Sequence, residues 1–288
     1  MDRIVYKNSM DAAGSKLIEM GMSLIREGQI LLAKTKYVTI GVVTRWCNDE
    51  MIAPFFLDHY SFADEIVVLL SSDTTDNSRK IITKYPNARV KEFEYSSGSF
   101  NGKEANAIIN QTANEMHTDW IIGVDADEFV FPKGDIENKK IREVLSNIDD
   151  NLVYVDFWQI YRHKKELDLD PTLKAVWLRR HGDPDRESFY NNNNKKPLIV
   201  RSGLGINWGI GLHNYLPNDK IRESRIRFDG AHWRMADPKL AVSRRLRGRR
   251  ENVSRLDIEN QWSFDNFDIT EEEILQECRK HLNDPQLF

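Results

Sequence analysis

Hydrophobic positions along the chain follow two periods that alternate from residue 36 onward. Short β-rich runs at 37–43, 65–70, 89–93 and 120–124 read as strands, and the segments between them, 49–60, 76–85 and 103–116, read as helices. Strands alternating with helices predict an α/β domain with a mostly parallel sheet flanked by helices, and continuous apolar runs suit strands covered on both faces. Ligands of such sheets bind beyond the carboxyl ends of the strands, which directs attention to the segments starting at Thr44, Ser71, Tyr95 and Asp125.

Ahead of this region, Leu17, Met20, Met22, Leu24, Ile25, Ile30 and Leu31 recur among charges and predict a long amphipathic helix over 10–34. Its apolar stripe calls for a partner: the body of the protein first, with a second copy or a membrane surface as the other occupants. Beyond Asp135 the pattern is less regular. Strands are expected at 152–160, 174–180 and 197–201, an exposed turn at Asn191 to Asn194, a helix or helix edge over 237–260, and a final helix over 270–282 that begins after Thr270. The resulting division is an N-terminal helix (1–35), two halves of one catalytic domain (36–135 and 136–235) and a C-terminal helical extension (236–288).

Composition narrows the function classes. The chain has 288 residues, 40% hydrophobic and 30% charged, enough for one large domain with a sizeable core. A formal net charge of -4 excludes nucleic acid as the main partner, so any basic function must be local. Cys47 and Cys278 form neither a disulfide framework nor a thiolate zinc site, which fits a reducing compartment. No run approaches a membrane span and no leader-like apolar core opens the chain, so a cytoplasmic protein that starts at its first residue is expected, with the inner face of the membrane as a further location.

The most informative segment is Trp120-Ile121-Ile122-Gly123-Val124-Asp125-Ala126-Asp127-Glu128, where an apolar strand runs into three acids. Asp125 and Asp127 share a direction in extended chain or converge through a turn. Held together they repel unless a cation lies between them. Their hard oxygens suit Mn2+ or Mg2+, which also binds phosphate oxygens and stabilises a diphosphate leaving group. In a chain with 45 acidic residues a bare Asp-x-Asp also arises by chance as a solvated turn; its place at the end of a buried strand favours the metal.

The run Asn101-Gly102-Lys103-Glu104-Ala105-Asn106-Ala107-Ile108-Ile109-Asn110, followed by Thr118-Asp119-Trp120 and by Asp125-Ala126-Asp127-Glu128, resembles the nucleotide-sugar half of family 2 glycosyltransferases. Leu70-Ser71-Ser72-Asp73-Thr74-Thr75-Asp76 is similar to the family's turn after the second strand, and Thr44 to Glu50 occupies the turn after the first. The resemblance covers about residues 36–132. It implies the GT-A type of Rossmann-like fold, transfer of a sugar from a nucleotide diphosphate donor (a UDP-sugar favoured) to a glycan or glycoconjugate acceptor, and inversion. By the same resemblance Asp127 and Asp125 would hold the metal, Asp125 would also reach the ribose, Thr44 and the Ser72, Asp73 and Asp76 turn would border the nucleoside, and Lys103 would approach the base or diphosphate. Ser71 and Ser72 replace the aspartates with which many relatives open the second motif, which leaves the contact to the base open.

The resemblance also implies a histidine after the acceptor region that completes the metal site. Of His213 and His232 in the second half, His213 is the better match because a glycine-rich loop precedes it, and either histidine also reads as a structural hydrogen-bonding residue. A base for the acceptor hydroxyl is expected at Asp185 or Asp183, ahead of Asp156 and Glu187. Arginines 244, 245, 247, 249 and 250 face a diphosphate, an anionic acceptor, a lipid surface or solvent. A noncatalytic carbohydrate- or nucleotide-binding module and a nucleotidyltransferase remain as alternatives to the glycosyltransferase.

Overall fold

The computed structural model describes residues 16–26, 37–183, 195–262 and 267–288. Residues 16–26 are helical (α1), and Leu17, Ile18, Met20, Met22, Leu24 and Ile25 on it are exposed. The remainder of the N-terminal helix expected over 10–34 lies outside the described residues.

Val38–Phe288 is one compact unit built on an eight-stranded sheet. Its first half follows the expected alternation: β1 (Ile40–Trp46), α2 (Ala53–His59), β2 (Glu65–Ser71), α3 (Ser78–Ile82), β3 (Ala88–Phe93), α4 (Gly102–Glu115) and β4 (Trp120–Asp125). These strands lie in the order β3-β2-β1-β4, all parallel. Ile40, Val42, Val43, Ile66 to Leu70 and Trp120 to Ile122 are almost wholly buried, as continuous apolar strands between helical layers must be. The second half adds β5 (Glu128–Pro132), α5 (Ile141–Ser146), β6 (Leu152–Tyr161), α6 (Ala175–Leu178), β7 (Lys195–Arg201), β8 (Phe228–Met235), α7 (Pro238–Arg247), α8 (Arg255–Asn260) and α9 (Glu271–Lys280). β7 pairs antiparallel with β4 and β6, β8 lies parallel to β6, and β5 closes the edge antiparallel to β8, so a mostly parallel sheet carries antiparallel strands on one side.

Three helix starts follow their caps. Asn101 accepts the amides of Lys103 and Glu104, Asp237 those of Lys239 and Leu240, and Thr270 forms a capping box with Glu273. The strand expected at 174–180 is instead the short helix α6. A four-residue apolar run such as Ala175 to Leu178 is ambiguous between strand and helix, and the wholly buried Arg179 that follows it donates to the carbonyls of Ala236, Leu167 and Leu178. The turn expected at Asn191 to Asn194 lies outside the described residues.

Candidate functional site

A cavity of about 760 Å³ opens at the carboxyl ends of β1, β2 and β4 and is closed from the other side by β8, α7 and the segment after it. Its size is that of a small-molecule site. The acidic motif forms its floor. β4 ends at Asp125, a turn carries Ala126 and Asp127, and the chain re-enters the sheet as β5. The β5–β8 register sets Glu128 opposite His232, and the Trp233 amide donates to the Asp127 carbonyl at 2.7 Å. His232 Nε2 thereby comes within 3.4 Å of Asp127 Oδ2.

Cations surround these acids. Arg45 Nε donates to Asp125 Oδ1 at 3.0 Å, and Lys196 Nζ lies 2.5 Å from Glu128 Oε1 and 3.9 Å from Asp125 Oδ2. Arg244 bridges Asp127 Oδ1 at 3.0 Å and Asp49 Oδ1 at 2.5 Å, and Arg247 reaches the same Asp49 oxygen at 3.0 Å. Four acids thus face four cations in a largely buried network, which offsets their desolvation. Burial opposes ionisation of Asp127, but Arg244 and His232 overcome it and hold the carboxyl well below the usual range. Burial is likewise overcome at Asp125 by Arg45 and Lys196, so it stays ionised. Lys196 is kept cationic against its burial by Glu128 and Asp125.

Of the residues expected at the site, Asp125, Asp127, Asp73, His213 and Asp183 line the cavity. Thr44, Ser72, Asp76 and Lys103 are not among its lining residues. Thr44 is wholly buried and accepts a hydrogen bond from Trp46 Nε1, Ser72 and Lys103 are exposed elsewhere, and Asp76 accepts the amides of Glu50 and Ser78, tying the second turn to the first. Asp185 lies outside the described residues. The asparagines of α4 also serve structure: Asn106 and Asn110 donate to the Trp208 carbonyl and Asn110 Oδ1 accepts the Trp208 amide. They hold Trp208 against Gly123, where a Cβ would stand 2.8 Å from the indole, and so set the following Ile210–Leu212 turn at the cavity edge.

Sequence reasoning passed over Arg45, Asp49, Lys196 and Arg234 and ranked His232 second. One signal was available for the last two, because alternation along a strand puts His232 and Arg234 on one face with Trp233 in the core. The arginine cluster divides: Arg244, Arg245 and Arg247 line the cavity, whereas Arg249 and Arg250 pair with Glu251 and Asp268.

The donor set can be tested against a divalent metal. Among the described residues no group of three or more His, Cys, Asp and Glu is arranged to hold one. Asp127 Oδ2 and His232 Nε2, 3.4 Å apart, do fit two neighbouring ligands of one cation, since donors each about 2.1 Å from a metal lie roughly 3 Å apart. The chain therefore fits an open site of two protein ligands completed by phosphate and water, and does not fit an all-protein cage.

No family model matches the chain, and no curated protein matches it. Among solved structures, the chain is similar to glucosyl-3-phosphoglycerate synthase from Mycobacterium tuberculosis, in complexes with Mg2+ and uridine diphosphate and with phosphoglyceric acid. Each match has 18% identity and a TM-score of 0.30, over 44% of this chain and 46% of that one. The chain thus spans under half the length of that enzyme. A 4-diphosphocytidyl-2C-methyl-D-erythritol synthase matches at 16% identity and a TM-score of 0.32, over 59% of this chain and 77% of that one.

Proposed function

We propose that the chain is a glycosyltransferase of the GT-A type that binds a nucleotide diphosphate sugar in the cavity beyond β1, β2 and β4. The observation that carries this reading is the Asp127–His232 pair at 3.4 Å, open to the cavity and flanked by Arg244. Two metal donors beside a two-pronged cation match the diphosphate of such a donor, whose leaving group gains negative charge during transfer. A divalent metal, Mn2+ or Mg2+, would supply Lewis-acid stabilisation of that charge when bound.

The rest falls to the protein. Arg45 and Lys196 hold Asp125 ionised and oriented under the site, and Lys196 Nζ also donates to the Gly211 carbonyl at 2.9 Å, fixing the loop that carries His213. Phe93, Tyr95 and Phe100 wall the cavity beside Asp73 and offer apolar surface to a nucleoside. Asp183, which lines the cavity and whose amide donates to the Gln159 carbonyl of β6, is the described carboxylate we assign as base for the acceptor hydroxyl. The acceptor is a hydroxyl-bearing glycan or glycoconjugate. A panel of nucleotide sugars, each with Mn2+ and Mg2+ and scored for nucleoside diphosphate release, tests the reading. Release from a UDP-sugar that vanishes with chelator and in Asp127→Asn is expected; pyrophosphate release from a nucleoside triphosphate would replace this reading with a nucleotidyltransferase.

A further inference from the structure

Arg244 occupies an unusual position for a residue that only docks a helix. Its Nη2 lies 3.0 Å from Asp127 Oδ1 while its Nη1 lies 2.5 Å from Asp49 Oδ1, and its side chain, 17% exposed, lines the cavity. Asp49 is a fixed anchor: it is 4% exposed, its amide donates to Ser78 Oγ at 3.0 Å, and its Oδ2 accepts the Cys47 amide at 2.9 Å. Arg247 stays on the same Asp49 oxygen at 3.0 Å. The guanidinium can therefore leave Asp127 and turn into the cavity while one prong keeps its hold on Asp49.

Resting on the reading of the cavity as a nucleotide diphosphate site, we infer that Arg244 is an exchangeable counter-ion of Asp127 that makes metal binding and diphosphate binding depend on each other. A divalent cation on Asp127 Oδ2 and His232 Nε2 stands within one carboxylate of the Arg244 guanidinium. Two positive groups at that distance in a partly desolvated cavity repel, so the cation alone binds poorly. A diphosphate removes the conflict, because its oxygens accept the guanidinium fork on one side and the cation on the other. Coupling of this kind is reciprocal: diphosphate tightens the metal by the factor by which the metal tightens diphosphate.

Calorimetric titration of the full chain with Mn2+ alone, with UDP alone and with both tests this. The wild type is expected to bind Mn2+ at least tenfold more tightly with UDP present than without. Arg244→Gln is expected to bind Mn2+ alone at least threefold more tightly than the wild type, to bind UDP more weakly, and to lose most of the coupling. Unchanged or weaker binding of Mn2+ alone by folded Arg244→Gln overturns the proposal, and this arm stands whether or not UDP binds. Failure of the wild type to bind UDP under any metal condition overturns the functional reading instead. Should thermal melting show Arg244→Gln unfolded, Arg244→Lys serves: it keeps a charge beside Asp127 but loses the fork, so weak binding of Mn2+ alone with reduced UDP affinity is expected, and full UDP affinity overturns the proposal.

Discussion

At the scale of single residues, the acids of the strand-end motif were legible, while Asp49 and the cations Arg45 and Lys196 were not. Asp125 and Asp127 announce themselves because charged groups at the end of a buried strand need a reason to be there. Lys196 does not, since a lysine at the start of the run Lys195-Lys196-Pro197-Leu198-Ile199-Val200 reads as the solvated edge of a strand, yet its side chain is 7% exposed and sits on Glu128. His213 drew attention through the glycines before it, while register with β5 puts His232 beside Asp127. The two histidines separate experimentally. His232→Ala is expected to weaken Mn2+-dependent UDP binding by about tenfold or more, the loss common for a metal-site donor or its support, and His213→Ala to weaken it less. The reverse ranking by calorimetry would return the metal ligand to the glycine-rich loop. A third histidine carries a pH prediction. Burial pushes His59 down to about 4, with its Nε2 2.9 Å from the Val130 carbonyl. Unfolded histidine takes its proton near pH 6.5, so the unfolded state binds protons first and stability is full above that pH and lost as pH falls from about 6.5 to 4. A shift of that size corresponds to a loss of roughly 3 kcal/mol across the window, and His59→Gln should flatten urea-derived stability over that range. An unchanged slope would show that another group carries it.

At the scale of elements, the first half was legible because β1, β2 and β4 are nearly continuous apolar runs and the segments between them break that pattern, and observed ends fall within a few residues of expectation. β5 was missed because Glu128-Phe129-Val130-Phe131-Pro132 follows an acidic turn so closely that it reads as part of the motif. β8 was missed because His232 and Arg234 interrupt its hydrophobic pattern, a cost of facing the cavity. The segment before Asp183 depends on partners distant in sequence. The Tyr161 amide donates to the His181 carbonyl, the Asp183 amide to the Gln159 carbonyl, the Gly182 amide to the Pro285 carbonyl and the Leu287 amide to the Arg180 carbonyl, so residues 180–183 lie between the end of β6 and the C-terminal segment. A Cβ at Gly182 would stand 2.2 Å from the Gln159 oxygen and 2.9 Å from Leu287 Cδ1. Gly182→Ala is therefore expected to cost about 1–3 kcal/mol, typical of overpacking, and to displace Asp183. If Asp183 is the base, turnover falls in this variant while affinity for UDP with Mn2+ holds. Turnover unchanged at a temperature where the variant is folded would remove Asp183 from the chemistry.

At the scale of the whole molecule, a net charge of -4 conceals a cavity edged by arginines, and the two facts are compatible because Arg45, Arg244 and Arg247 each have an acid beside them. The network also joins the ends of the fold. Asp49 follows β1 and Arg244 lies on α7, and a second link pairs Phe100 with Val253 while Asp257 accepts the Gly102 amide at the start of α4. A ligand in the cavity touches both sides, so its binding free energy is shared by segments about 200 positions apart. At a concentration 100 times its dissociation constant, UDP with Mn2+ should stabilise the native state by about 2.7 kcal/mol by mass action. Hydrogen exchange should slow together at the turn after β1, at the acidic motif and across 244–253, because local opening on either side now costs the ligand contacts as well. Chelation should reverse both effects. Slowing confined to the β1 and β4 ends, with 244–253 exchanging as before, would mean that the α7 arginines clamp the fold and take no part in holding the diphosphate.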